Sequence, residues 1–124
     1  MPISFTIDHE KKFVHARTYD VVKIEHWEDY LDQIVVQGAM PYRKLYDNRD
    51  GTFIDADPMR IAARVSAYAH FDPRGPVAVI AVSDASVEVA RRVLNLGNAK
   101  RPAKLFHSET AARTWLDAQP LPES

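Results

Sequence analysis

Pro76-Val77-Ala78-Val79-Ile80-Ala81-Val82 is the longest nearly apolar stretch of the chain, closed upstream by Asp72-Pro73-Arg74-Gly75 and downstream by Ser83-Asp84. It is far too short to cross a bilayer as a helix, which takes roughly twenty residues. It is also too unbroken for a strand with one wet face, which would alternate apolar and polar side chains. A short, continuous, β-branched run is what a strand covered on both faces requires. The segment is therefore read as the central strand of an α/β sheet, and its neighbours are read outward from it.

Downstream, Ser83 or Asp84 caps a helix whose apolar residues Val87, Ala90 and Leu94 are spaced by three and four, ending at Gly97. Ala103-Lys104-Leu105-Phe106-His107 then makes a last strand. Ser108-Glu109 opens a final helix carrying Ala112, Trp115 and Leu116, and the tail 119–124 is expected to fray. Upstream, Asp57-Pro58 is a helix start, because Asp can accept a backbone N–H while Pro at the first helical position has none to leave unpaired. Met59, Ala62, Val65 and Ala69 form the stripe of that helix. Tyr42 to Tyr46 reads as a short strand running into a polar loop, Asp47-Asn48-Arg49-Asp50-Gly51.

Before that, Ile24, Trp27, Leu31, Ile34 and Val35 fall at helical spacing, with Glu25, Glu28, Asp29 and Asp32 left for solvent. Gly38 ends this helix and Pro41 prevents its continuation. At the amino end, Ile3, Phe5 and Ile7 alternate with Ser4, Thr6 and Asp8, and Phe13 to Tyr19 resumes a strand pattern after a polar turn at His9-Glu10-Lys11-Lys12. The two strands are expected to pair as an antiparallel hairpin. The whole is β-β-α-β-α-β-α-β-α, one α/β domain over residues 1–124. Its single mixed sheet has four or five strands, the later ones largely parallel, and about four helices.

Composition removes several classes of function. Sixteen Lys and Arg against seventeen Asp and Glu give a net charge of -1, so no overall field draws the molecule to nucleic acid or anionic lipid. The chain has no cysteine, which rules out disulfides, thiolate metal sites and cysteine nucleophiles. No export signal precedes the first strand, and a cytoplasmic location is expected. The four glycines, at 38, 51, 75 and 97, cannot assemble a dinucleotide fingerprint, and no cofactor is expected.

The strand order, with Lys44-Leu45-Tyr46-Asp47, the run Phe53-Ile54-Asp55-Ala56-Asp57-Pro58 and the closing Leu105-Phe106 strand before Ala111 to Leu116, resembles the sulphate-transporter and anti-sigma-factor-antagonist (STAS) domain, most closely its bacterial SpoIIAA-like branch. The resemblance spans nearly the whole chain and implies a binding or regulatory module rather than an enzyme. In the antagonists the loop before the second helix reads apolar-Asp-Ser-Ser-Gly, and a partner kinase phosphorylates its second Ser. Here the stretch is Ile54-Asp55-Ala56-Asp57-Pro58. Neither serine is present, and Asp57 places a permanent negative charge where the phosphate would sit. The resemblance further implies a protein partner met at Thr52, Phe53, Asp55, Asp57, Met59 and Arg60. A small apolar or lipid-like ligand of a carrier and a homodimer are the alternative partners.

Other patterns in the sequence have plainer readings. Asp55-Ala56-Asp57 resembles the Asp-x-Asp of haloacid-dehalogenase-type phosphoryl transfer, but helix capping alone explains Asp57. Asp47 to Gly51 misaligns with a calcium loop, since Tyr46 would stand at the first ligand position. Magnesium held through waters by Asp47, Asp50 and Asp55 competes there with a solvated acidic loop. His9, His15, His26, His70 and His107 have no metal-ligand spacing, and no serine lies in a nucleophile turn, so neither a metal nor a catalytic residue is assigned. Arg91, Arg92, Lys100, Arg101 and Lys104 read as a solvated basic face, with no interleaved aromatic residues to stack bases.

Overall fold

The computed structural model describes residues 2–53, 59, 63, 67, 74–97 and 102–122, with the backbone alone at 53 and 92–97. The described elements are β1 (Ile3–Asp8), β2 (Phe13–Val22), α1 (Ile24–Val36), β3 (Arg43–Phe53), β4 (Val77–Ile80), α2 (Asp84–Gly97), β5 (Ala103–Phe106) and α3 (Glu109–Ala118). The expected helix after Asp57 lies outside the described residues, apart from helical backbone at Met59, Ala63 and Ala67.

All five strands form one mixed sheet in the order β1-β2-β3-β4-β5. β1 and β2 are antiparallel, turning at residues 9–12 with Lys12 at φ 54, and every later pair is parallel. Parallel neighbours need crossovers, and α1 and α2 supply two of them from the same face. On that face Val14 and Ala16 of the sheet pack with Tyr30 and Ile34 of α1, and Val77 and Val79 with Ala90 of α2. Alternation sends Leu45, Ala78 and Ile80 to the opposite face, against Ala112 and Leu116 of α3. The three helices α1, α2 and α3 are held by local devices. His26 Nδ1 accepts from Lys23 N–H at 2.8 Å ahead of α1, Ser83 Oγ accepts from Ser86 N–H at 3.1 Å, and Ser108 Oγ accepts from Ala111 N–H at 3.2 Å. Arg43 closes the carboxyl end of α3, its Nη2 donating to Gln119 O at 2.8 Å and its Nε to Leu116 O at 3.2 Å. A cation there suits the negative end of the helix dipole, and it shares Leu116 O with the Gln119 N–H at 3.1 Å.

Four expectations need correction. Asp47 to Gly51 is not a loop, because β3 continues through it to Phe53. β2 likewise runs on to Val22 to pair with it. The apolar run at 76–82 is buried only to Ala81; Val82 is 52% exposed, since the chain leaves the sheet there for the turn into α2. β4 is fully buried with a neighbour on each side, but β3 occupies the middle of the sheet. Among the described residues no helix is long and apolar enough to cross a membrane.

Candidate functional site

The carboxyl ends of parallel strands are where helices leave the sheet and side chains are free to meet a ligand or partner. In this chain that end is extended. β4 matches β3 only from Lys44 to Asp47, whereas β2 follows β3 to Phe53. Residues 48–53 and 19–22 therefore continue past β4 as a two-stranded ribbon. Such ribbons are marginal alone, so something must hold this one.

Packing at its root does so. The β2–β3 register shifts between Arg17 and Tyr19, where β3 spends one extra residue, and Asp20 takes a left-handed conformation at φ 55. Thr18 is buried, and its Oγ1 donates to Asn48 Oδ1 at 3.0 Å. Gly51 lies over the same threonine so closely that an added Cβ would stand 2.8 Å from Thr18 Cβ, so only glycine fits.

On the α3 face the root is tied by charges of alternating sign. Asp47, whose side chain is 3% exposed, accepts from Arg49 Nε at 2.9 Å and Nη2 at 2.6 Å, a bidentate pair, and from Arg49 N–H at 3.2 Å. Arg49 Nη2 also reaches Glu109 at 3.0 Å, and Glu109 receives Arg113 Nε at 2.9 Å. Arg17 lies 3.9 Å from Asp47 and 3.3 Å from Asp50. Asp50, Arg17, Asp47, Arg49, Glu109 and Arg113 thus form one chain of ion pairs joining β2, β3 and the first two turns of α3. The hydrogen bonds from Arg49 hold the Asp47 carboxyl below its usual range, and Arg113 does the same for Glu109. Asp47 in turn pushes the Arg49 guanidinium up.

This arrangement suits structure rather than proton transfer. Carboxylates held ionised by guanidinium groups are poor bases near neutral pH. Asp47, one of the three carboxylates that could hold magnesium through waters, spends its oxygens on Arg49. His15 sits beside the network with its Nε2 buried and without a hydrogen-bond partner. Burial first, and the Arg113 charge second, lower its pKa and favour the neutral imidazole. Among the described residues no group of three or more His, Asp or Glu side chains could hold a metal ion.

Of the residues expected to meet a partner, Thr52 is exposed on the ribbon beside Val21, and Phe53 ends β3 opposite Val22. Met59 is 64% exposed. Asp55, Asp57 and Arg60 lie outside the described residues. Val21, Val82 and Met59 are three of the four large apolar side chains found exposed among the described residues. Val21 and Val82 lie at or beyond the carboxyl ends of the strands. In the basic face, Arg91 lies 3.9 Å from Glu88 and Lys104 Nζ stands 5.5 Å from the Phe106 ring centre, while Lys100, Arg101 and the Arg92 side chain are outside the described set. Sequence reading missed the ion-pair chain. Its one signal was the period of two between Asp47 and Arg49, which is legible only once the segment is known to be a strand.

No family model matches the sequence, and no curated protein matches it. Solved structures do. An uncharacterised protein of the DUF3478 family with a SpoIIAA-like fold, from Shewanella loihica PV-4, superposes with a TM-score of 0.64 at 14% identity, covering 92% of this chain and 93% of that one. The anti-sigma factor antagonist SpoIIAA in its unphosphorylated form superposes with a TM-score of 0.56 at 12% identity, covering 94% and 99%. At these identities the likeness is one of fold, and the chain has the SpoIIAA-like α/β fold over nearly its full length.

Proposed function

We propose that this chain is a non-enzymatic, protein-binding regulatory module that meets its partner at the carboxyl end of the parallel strands, across the β2–β3 ribbon and the residues after it to Arg60. The observation that carries the reading is the ribbon itself. Its root is fixed by Thr18, Asn48, Gly51 and a buried carboxylate with two arginines in reach, while its outer part exposes Val21, Asp50 and Thr52. A surface ordered before binding loses little entropy on association. An apolar residue set among polar neighbours is the usual composition of an interface core and rim. The SpoIIAA neighbour is itself an anti-sigma factor antagonist, which supports a protein rather than a small molecule as the partner. Asp57 in place of a phosphorylatable serine makes the charge at that point constant, so binding would not be switched there.

A tagged pull-down from the host, with both proteins and extractable small molecules identified, tests the reading. A stoichiometric protein should be recovered with wild type. It should be lost with Val21→Glu and with the pair Asp55→Asn and Asp57→Asn, chosen because Asn caps about as well as Asp at the helix start that the sequence predicts. A stoichiometric lipid without protein, or magnesium-dependent phosphatase activity abolished by Asp55→Asn, would overturn it.

A further inference from the structure

A second surface lies on the far side of the hairpin. Tyr19 N–H donates to Pro2 O at 2.9 Å. In an antiparallel ladder this makes Pro2 and Tyr19 a hydrogen-bonded pair and Ile3 and Thr18 a non-hydrogen-bonded one. The alternation continues with the register, so Ile3, Phe5 and Ile7, opposite Thr18, Ala16 and Val14, turn their N–H and C=O groups away from β2. No described strand lies on that side, since β1 is the edge of the sheet. The same residues point their side chains toward α1, where the Phe5 ring meets Tyr30 edge-on at 5.1 Å. Between Ile3 and Phe5 and the α1 residues His26, Asp29, Asp32 and Gln33 is a cleft of about 330 Å³ floored by Tyr30.

The two edges of the sheet differ. β5 is four residues long, follows Pro102 and carries Lys104, devices that discourage a further strand. β1 is six residues long in unbroken register, with no Lys, no internal Pro and its one charge at the end, Asp8. It is an unguarded template beside a cleft.

Charge decides what fits it. α1 contains Glu25, Glu28, Asp29 and Asp32 and no Lys or Arg. Pairing β1 with β1 of a second copy would set these helices side by side on one face, acid against acid. A strand with Lys or Arg at alternate positions instead lays its aliphatic stems over Phe5 and Tyr30 and brings its charges to Asp29 and Asp32. We infer that β1 and α1 form a docking groove for an extended basic segment of a partner protein, which adds to the sheet beside β1 as a further strand. The groove shares no residue with the ribbon surface, so either can fail alone.

The test uses the full chain and two fluorescein-labelled nonapeptides, one alternating Val with Arg and one alternating Val with Glu. Anisotropy should show saturable binding of the Arg peptide alone. Asp29→Lys with Asp32→Lys, at two exposed positions of α1, should weaken it at least about tenfold. Amide exchange should slow at Ile3, Phe5 and Ile7 on binding, and not at Ser4 and Thr6, which already bond to β2. Absence of binding, equal binding of both peptides, insensitivity to the charge reversal, or protection at Val21 and Thr52 instead would each overturn the inference. So would a concentration-dependent dimer that protects Ile3, Phe5 and Ile7 without peptide.

Discussion

Replacing Asp47 with Asn changes one atom and one charge in the most buried carboxylate of the ion-pair chain, and its effect can be worked from the geometry. The side chain is 3% exposed and takes Arg49 on both oxygens, at 2.9 and 2.6 Å. Asn retains one acceptor and turns an NH2 toward a guanidinium that can only donate, so one charge-assisted bond is lost and a buried donor is left unpaired. A hydrogen bond to a charged group contributes about 1.5–3 kcal/mol. Breaking a fully buried pair costs about 3–5 kcal/mol, but that is an upper bound here. Arg49 is 37% exposed and keeps Glu109, so its charge is not stranded. A loss of about 2–3 kcal/mol follows, lowering Tm by roughly 10 °C for a domain of this size. Urea unfolding of both proteins across pH measures it. The folded-state pKa of Asp47 is depressed below its ordinary 3.8, so the folded chain binds fewer protons than the unfolded one. The contribution is thus complete above pH 3.8 and disappears as pH falls through the depressed value. The gap between wild type and Asp47→Asn should not narrow from pH 7 to 5, where loss of the Asp47 charge lowers the His15 pKa further, and should narrow only below 3.8. A gap under about 0.5 kcal/mol at pH 7, or one that narrows between pH 7 and 5, would refute the assignment.

Gly75→Ala should destabilise the chain by at least about 2 kcal/mol in urea unfolding. The new Cβ would collide with Tyr42 O and stand 2.5 Å from Pro41 O, and backbone there cannot yield without losing the Gly75 N–H bond to Met40 O. His15→Leu should flatten the dependence of the urea midpoint on pH. In wild type the depressed pKa of His15 gives stability that is complete above 6.5 and lost as pH falls through the folded value, while the variant has no such loss. Arg43→Met should cost about 1–2 kcal/mol and speed amide exchange at Ala118 and Gln119, because it strips the cation from the last turn of α3.

The elements that could be read from sequence are those whose burial is written in their period. Ile3, Phe5 and Ile7 alternate because one face of β1 is dry, and Val77 to Ile80 is continuous because β4 is dry on both. β3 hid its second half because Asp, Asn and Gly are poor strand formers, and propensity was overridden by partners distant in sequence. Asp47 is held by arginine, Asn48 by Thr18, and Gly51 is imposed by the threonine beneath it. Lys44 is buried for a similar reason, its Nζ donating to Met40 O at 2.5 Å and Tyr42 O at 2.9 Å in the turn before β3. None of these pairings has a local signature. For the same reason Thr52 could be placed near the candidate surface, but not on a ribbon continuous with β2.

The central claim is that the ribbon meets a protein partner. Photo-crosslinking in the host, with benzoylphenylalanine in place of Thr52 or of Asp117, tests it most directly. Thr52 lies on the ribbon, and Asp117 is exposed near the opposite end of the sheet, on the last turn of α3. The account predicts one discrete protein adduct from position 52 and none from 117. No adduct at 52, or the same adduct from both positions, would contradict it.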